Sequence, residues 1–126
     1  MSPMRTKTPS RARGAQAAGR TYQRIVREVM AMLTAREVGI AVGVGERTVQ
    51  NWAAGATRPQ GDARDALLDL HYAIEALSDV YTPEGVETIL HGRSKALGGR
   101  RPLEVFAAGE REAVVELAAS RRDYSG

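Results

Sequence analysis

The sequence contains no cysteine and no apolar run long enough to cross a membrane. Without cysteine there are no disulfides, no thiolate metal sites and no cysteine nucleophile, which fits a reducing, cytoplasmic environment. A transmembrane helix needs about 20 consecutive apolar residues, and no stretch here approaches that length. The basic N-terminus lacks the apolar core of a secretory signal. We therefore expect a cytoplasmic protein with no membrane partner.

Residue combinations that carry out catalysis or bind metals are also missing. His71 and His91 fall in different predicted helices, and neither has a partner at a metal-binding spacing such as HExxH. Ser94, Ser120 and Ser125 lack a nucleophile-elbow motif or a neighbouring base. The sequence therefore predicts that the protein is not an enzyme and holds no metal and no cofactor.

The charges that are present are unevenly distributed. The first 60 residues contain ten Lys or Arg and three acids, a net charge of +7, whereas residues 61–126 contain eight and twelve, a net charge of −4. A basic half attracts polyanions and an acidic half repels them. The two halves are therefore predicted to bind different kinds of partner, unless this is one of the small imbalances that are common in proteins.

Residues 1–20 contain five basic residues and no acid, separated by Pro, Gly, Ser and Ala. Such a segment buries too little apolar surface to offset the entropy lost on ordering, so we predict a disordered basic arm. The arm could contact DNA phosphates, as basic arms do. The alternatives are a solvated tail or a misplaced start codon.

From residue 21 onward the apolar residues recur with helical period, and no alternating run indicates a strand, so the predicted fold class is all-α. Thr34 and Glu37 form a capping-box signature, and Gly43 suits the end of the helix that it starts. Three regions are predicted: a helix-turn-helix region over 21–60, a long linking or dimerisation helix over 61–81, and shorter helices over 82–126. The apolar stripe of the long helix could be a dimer interface or intramolecular core.

The stretch GVGERTVQNWAAG, residues 43–55, could be a phosphate-binding glycine loop or part of a helix-turn-helix. A phosphate loop must follow a strand or end in Gly-Lys-Ser/Thr, and neither condition is met. A helix-turn-helix needs a small residue within its first helix and a left-handed residue in its turn, positions that Gly39 and Gly43 fill. Its inward positions are all apolar: Val38, Val42, Val44, Val49 and Trp52. We therefore predict a DNA-binding helix-turn-helix, the alternative being a helical hairpin with a solvated polar face.

The polar residues around this turn suit a DNA surface. Arg can bind guanine with two hydrogen bonds, Gln and Asn can bind adenine in the same way, and Glu can accept from cytosine. Three residues are predicted to contact bases, namely Arg47, Gln50 and Asn51, while Glu46 contacts a base or repels a wrong one. Three others are better placed for phosphates, which position a protein on DNA: Arg36, Thr48 and Arg58.

The second half of the chain resembles the toxin-binding domain of Xre/MbcA/ParS-type antitoxins. That domain has Trp-Leu, then Leu-Gly-Gly-x-x-Pro-Leu-Glu-Leu, then a glycine before an acidic helix. Here Ile89 stands where Trp is common, LGG occupies residues 97–99, PLE occupies 102–104 and the glycine is Gly109. Together with the helix-turn-helix and the long helix that precede this domain, the resemblance to these antitoxins covers about residues 21–124.

The resemblance implies that residues 82–126 are a toxin-binding domain and that the partner is a RES-domain toxin, which destroys NAD. It also implies that the protein represses its own operon by binding double-stranded operator DNA, and a helix-turn-helix protein is expected to do so as a homodimer. The candidate toxin-binding residues lie in the connector and the tail: Leu97, Arg100, Arg101, Arg121, Arg122, Asp123, Tyr124, Ser125 and Gly126.

Alternatives remain at three points. Arg100 and Arg101 could cap neighbouring carbonyls instead of meeting an acidic partner, and the tail could simply fray. Tyr124 would anchor the tail, because buried aromatic residues contribute strongly at interfaces. The chain as a whole could be a stand-alone or phage-type repressor whose second half only dimerises, or an interaction module with a degenerate DNA-binding lobe.

Overall fold

The structure, a computed structural model, describes the backbone of residues 11–125 and the side chains of residues 20–124. Seven α-helices and one 3-10 turn follow one another in the order α1 Arg11–Val29, α2 Ala35–Val42, α3 Glu46–Ala54, α4 Gly61–Ser78, α5 Pro83–His91, the 3-10 turn Lys95–Leu97, α6 Pro102–Ala107 and α7 Arg111–Ser125. Within residues 11–125 the β-structure is limited to one isolated bridge between Ser94 and Arg100. The all-α prediction is confirmed. No helix in this described part combines the length and apolar character that crossing a membrane requires.

Helix α1 begins at Arg11, so residues 11–20 are helical rather than part of a disordered arm. The prediction for 1–20 is wrong for that half, and residues 1–10 lie outside the described residues. The segment is rich in Ala and Arg, which have high helix propensity. It continues a helix that packs through Val26 and Val29, and extending an existing helix avoids the cost of nucleation. Residues 11–20 have no apolar face, so apolar periodicity could not predict this extension of the helix.

Local signals set both ends of α2 where the sequence predicts them. At the start of α2, Thr34 Oγ1 accepts a hydrogen bond from the Glu37 amide at 3.1 Å, and the Thr34 amide donates to Glu37 Oε1 at 2.9 Å. This is the predicted capping box. Helix α2 ends at Gly43, whose φ of 84° lies in the left-handed region that favours glycine. Thr82 caps α5 in the same way, accepting from the Gly85 amide at 3.1 Å.

Helix α4 lies at the centre of the core. It packs against α1 and α2 on one side and against α7 on the other. The apolar stripe of the long helix is buried within its own chain: Leu67, Leu70, Ile74 and Leu77. Burying a side chain of this size contributes about 1.5–3 kcal/mol. Of the two interpretations of this stripe, intramolecular core is therefore the one that the structure supports, and these residues are not free to form a dimer interface.

Candidate functional site

Helices α2 and α3 are joined by a tight turn that depends on Gly39. The amides of Gly43 and Val44 both donate to the Gly39 carbonyl, at 2.8 and 2.9 Å. A Cβ at position 39 would lie 2.6 Å from the Val44 oxygen, which is a backbone atom and cannot rotate away. Glycine therefore lets the turn cross the first helix closely. Val38, Val42, Val49 and Trp52 are buried as predicted, and Val44 is half-buried.

The residues predicted to contact DNA lie on the surface around this turn. Five are exposed and two, Thr48 and Asn51, are half-buried; the exposed ones are Arg36, Glu46, Arg47, Gln50 and Arg58. Arg47 shares one face of α3 with Gln50 and Asn51, because residues three and four apart are neighbours on a helix. Among the described residues, none forms an ion pair with the guanidinium of Arg36, Arg47 or Arg58. Three cations near the turn are therefore available to an anionic partner.

Two residues of α1 bind the C-terminal end of α3, a role that the sequence does not predict. The Ala53 carbonyl accepts hydrogen bonds from Gln23 Nε2 at 3.0 Å and from Arg27 Nε at 3.1 Å. These side chains satisfy a carbonyl that the end of the helix leaves without a partner. The contacts join residues 26 and 30 positions apart in the chain. No local sequence signal could have revealed them.

The connector before α6 is built around Gly98 and Gly99, whose φ values of 70° and 83° are both left-handed. The turn is closed by the Gly99 amide, which donates to the Ser94 carbonyl at 2.8 Å. Leu97 beside it is only 5% exposed and packs in the core. Its side chain is therefore largely buried, although it also lines a cleft beside α7, so its role as a toxin contact stays a prediction. A leucine next to two glycines can be buried or exposed, and only the packing shows that Leu97 is buried.

Arg100 and Arg101 both bind neighbouring groups of their own chain. Arg100 makes a two-pronged contact with Glu110, at 3.0 and 3.2 Å, and donates from Nε to the Leu97 carbonyl at 3.1 Å. This contact lowers the pKa of Glu110. Arg101 donates from Nε to the His91 carbonyl at 3.1 Å. The capping of carbonyls, one of the two predicted roles, is present, although the two side chains remain 46% and 44% exposed.

The end of the chain is the last turn of α7 and is held against the body by two arginines. Arg121 Nη1 donates to Tyr81 Oη at 3.0 Å, and Arg122 Nη2 donates to Tyr72 Oη at 2.7 Å. Arg122 also lies 5.1 Å from the centre of the Tyr72 ring. Beyond these residues Asp123 is exposed and Tyr124 is 94% exposed. The side chain of Ser125 and the whole of Gly126 lie outside the described residues.

His91 connects the second half of the chain to the capping box of α2. Its Nε2 lies 2.7 Å from Glu37 Oε2, and its Nδ1 lies 2.8 Å from the Glu87 carbonyl. The hydrogen bond with Glu37 is the main cause that raises the pKa of His91. Burial opposes ionisation of Glu37, but hydrogen bonds from Thr34 and His91 outweigh it, and the pKa of Glu37 is lowered.

The packing of α1 on α4 brings His71 beside two carboxylates. Its Nε2 lies 2.6 Å from Glu28 Oε1 and 3.7 Å from Glu75 Oε2. The hydrogen bond with His71 is the main cause that lowers the pKa of Glu28. These three residues could in principle hold a metal ion. Glu28 also forms an ion pair with Arg24 at 3.1 Å, so its carboxylate already has two partners within the chain, Arg24 and His71. Because it spans two helices, sequence spacing could not reveal it.

Comparisons with known proteins place this arrangement among antitoxins. The chain is 34% identical over 88 residues to a probable mycobacterial cidal antitoxin of Mycobacterium tuberculosis, covering 70% of this chain and 75% of the relative. It is 31% identical over 85 residues to the mycobacterial cidal antitoxin MbcA of Mycobacterium bovis, covering 68% and 75%. Its fold matches a chain of the crystal structure of the M. tuberculosis MbcT–MbcA toxin–antitoxin complex, with a TM-score of 0.69, 25% identity, and coverage of 82% of this chain and 96% of that chain. No protein-family model matches the chain.

Proposed function

The chain belongs to the MbcA family of antitoxins, and from this premise we propose that it binds and neutralises a toxin through its second half. The relatives are named as antitoxins, and the structural match is to a toxin–antitoxin complex. The resemblance of residues 89–119 to the toxin-binding domain supports a RES-domain toxin that destroys NAD. The protein then acts by binding and masking its partner, with no chemistry of its own.

The observation that carries this proposal is the position of Tyr124. Its ring is 94% exposed at the end of a helix whose preceding turn is clamped to Tyr72 and Tyr81. A large aromatic side chain on a rigid support loses little conformational entropy when it binds, and such residues dominate interface energies. Asp123 and Tyr124 are the tail residues free to enter a partner. Arg121 and Arg122 hold them in place.

We further propose that the α2–turn–α3 unit binds the operator of the protein's own operon. The support is the close turn at Gly39 and Gly43 together with the unpaired cations Arg36, Arg47 and Arg58. A homodimer fits this role, since helix-turn-helix proteins bind two half-sites about 34 Å apart. The dimer interface would lie outside the α4 stripe, which the chain's own core occupies.

The test is affinity purification of the tagged full-length chain from its native host, after nuclease treatment and a high-salt wash. An NAD-degrading protein that remains bound in stoichiometric amount, and whose toxicity the chain suppresses on co-expression, is the expected result. If no protein partner survives the wash while operator binding persists, the antitoxin proposal fails. The chain would then be a stand-alone repressor, the alternative that the sequence leaves open.

A further inference from the structure

The acidic half of the chain contains eight basic residues, and the structure divides them into two sets. Five form ion pairs with acids of the same chain: Arg64, Arg100, Arg101, Arg111 and Arg122. The other three form no ion pair among the described residues: Arg93, Lys95 and Arg121. Arg93 is nevertheless near enough to Glu104 to help lower the pKa of that carboxyl. In a segment with four more acids than bases, three unpaired cations are unexpected. The positions of these three cations in the fold indicate what kind of partner they bind.

All three unpaired cations line one cleft, between the end of α5, the 3-10 turn and α7. The cleft has a volume of about 440 Å³, and no acidic residue lines it. Two of the cations are held in place: Arg93 Nη1 donates to the Gly99 carbonyl at 3.2 Å, and Arg121 Nη1 donates to Tyr81. Lys95 makes no such contact among the described residues and is exposed. Three like charges in a cleft that no acidic residue lines favour the binding of an anion there.

The floor of the cleft is apolar and continues along α7. Ile89, Ala96 and Leu117 line it together with the cations. A second cleft, of about 310 Å³, shares Ala96 and Leu117 with the first and has Glu116 at its side. The two form one groove that is basic at one end and acidic at the other. We name it the α7 groove.

We propose that the α7 groove binds a segment of the toxin that carries an acidic side chain, whose carboxylate lies between Arg93 and Lys95, next to an apolar side chain that packs on Leu117. This inference rests on the proposed antitoxin function and adds a second contact surface, separate from the tail residues Asp123 and Tyr124. Arg and Lys bind carboxylates through charge-assisted hydrogen bonds, and the apolar floor accommodates the neighbouring side chain.

A protein segment fits the groove better than a nucleic acid does. The groove lies in the half of the chain with a net charge of −4, and Glu116 stands beside its far end. A run of phosphates would meet that carboxylate, and it would gain nothing from Ile89, Ala96 and Leu117. A peptide segment that carries one acidic side chain next to an apolar one matches the basic end and the apolar floor.

The test uses Lys95→Glu in the full-length chain, because Lys95 makes no contact within the described residues that the fold would lose. The matched control is Arg64→Glu, which makes the same charge change at an exposed position on α4. The toxin identified by co-purification is purified, and its affinity for each variant is measured by calorimetry. We expect Lys95→Glu to weaken binding by about tenfold or more and Arg64→Glu to leave it within about twofold. Thermal unfolding checks that both variants fold.

The outcomes separate this inference from the function on which it rests. If the wild-type chain binds no toxin, both the antitoxin proposal and the proposed role of the α7 groove are wrong. If the wild type binds and Lys95→Glu binds equally well, the groove is not a contact surface, although the protein remains an antitoxin. If Lys95→Glu keeps its toxin affinity but loses operator affinity, the groove contacts nucleic acid and the inference is overturned.

Discussion

His91 Nε2 lies 2.7 Å from Glu37 Oε2, although the two residues are 54 positions apart. Glu37 is the third residue of α2, where it also closes the capping box with Thr34. His91 is the last residue of α5, and the neighbouring Arg101 donates to its carbonyl. One hydrogen bond therefore joins the start of the proposed DNA-binding unit to the proposed toxin-binding half.

This contact predicts how stability depends on pH. The pKa of His91 is raised above 6.5, so its contribution is complete below pH 6.5 and is lost as the pH rises through the raised value. The pKa of Glu37 is lowered below 4.5, so its contribution is complete above pH 4.5 and is lost as the pH falls through the lowered value. The pair is therefore most stabilising between about pH 4.5 and 6.5.

His91→Gln tests that dependence. Because the side chains are 41% and 33% exposed, the effect is at most about 1 kcal/mol. Urea unfolding at about pH 5.5 and at about pH 8 measures the free energy of unfolding of both proteins. The wild type should lose more stability than the variant between the two pH values. Parallel losses in both proteins would show that the contact does not contribute.

Gly39→Ala is predicted to destabilise the protein by roughly 1–3 kcal/mol, because the new Cβ would meet the Val44 carbonyl at 2.6 Å and the backbone must shift. Gly45→Ser is the matched control at the N-cap of α3, where the turn ends. A Cβ there meets nothing within 4 Å, and the serine hydroxyl could cap α3, which lacks a side-chain cap. The control should be equal to or slightly more stable than the wild type. Equal urea midpoints for Gly39→Ala and the wild type would contradict the close crossing.

Arg47→Ala is predicted to weaken specific operator binding while leaving the fold intact, since the side chain is exposed and unpaired within the described residues. Loss of a two-bond contact to guanine costs about 1–3 kcal/mol and relaxes specificity at one base pair. Arg24→Ala removes the same charge from an ion pair on α1 and serves as the control. Binding to operator and to random DNA of the same length separates specific from non-specific loss. Unchanged operator affinity would assign base recognition to other residues.

Tyr124→Ala is predicted to weaken toxin binding by about 2 kcal/mol or more, as expected of an aromatic anchor at an interface. Because the ring is 94% exposed, the free antitoxin should unfold at the same temperature as the wild type. Operator affinity provides an internal control and should not change. Full toxin neutralisation by the variant in growing cells would exclude the tail as the mask.

Features that depend on a few neighbouring residues could be predicted from the sequence. The capping box at Thr34, the left-handed end of α2 at Gly43 and the all-helical fold follow from side chains that contact their own backbone or repeat with helical period. The resemblance carried by residues 97–104 likewise indicated the antitoxin family. The start of α1 was not predicted, because residues 11–20 have helix propensity but no apolar face.

What only the tertiary structure decided involves residues far apart in the chain. Periodicity placed the α4 stripe on one apolar face, and Leu97 is an apolar residue of the connector, but the sequence could not say whether these side chains pack within their own chain or against a partner. Counting charges identifies the basic residues of the second half. It does not show which of them form ion pairs and which, namely Arg93, Lys95 and Arg121, form none among the described residues. That division depends on which acids the packing of α4, α5 and α7 brings within reach, and sequence spacing does not encode those distances.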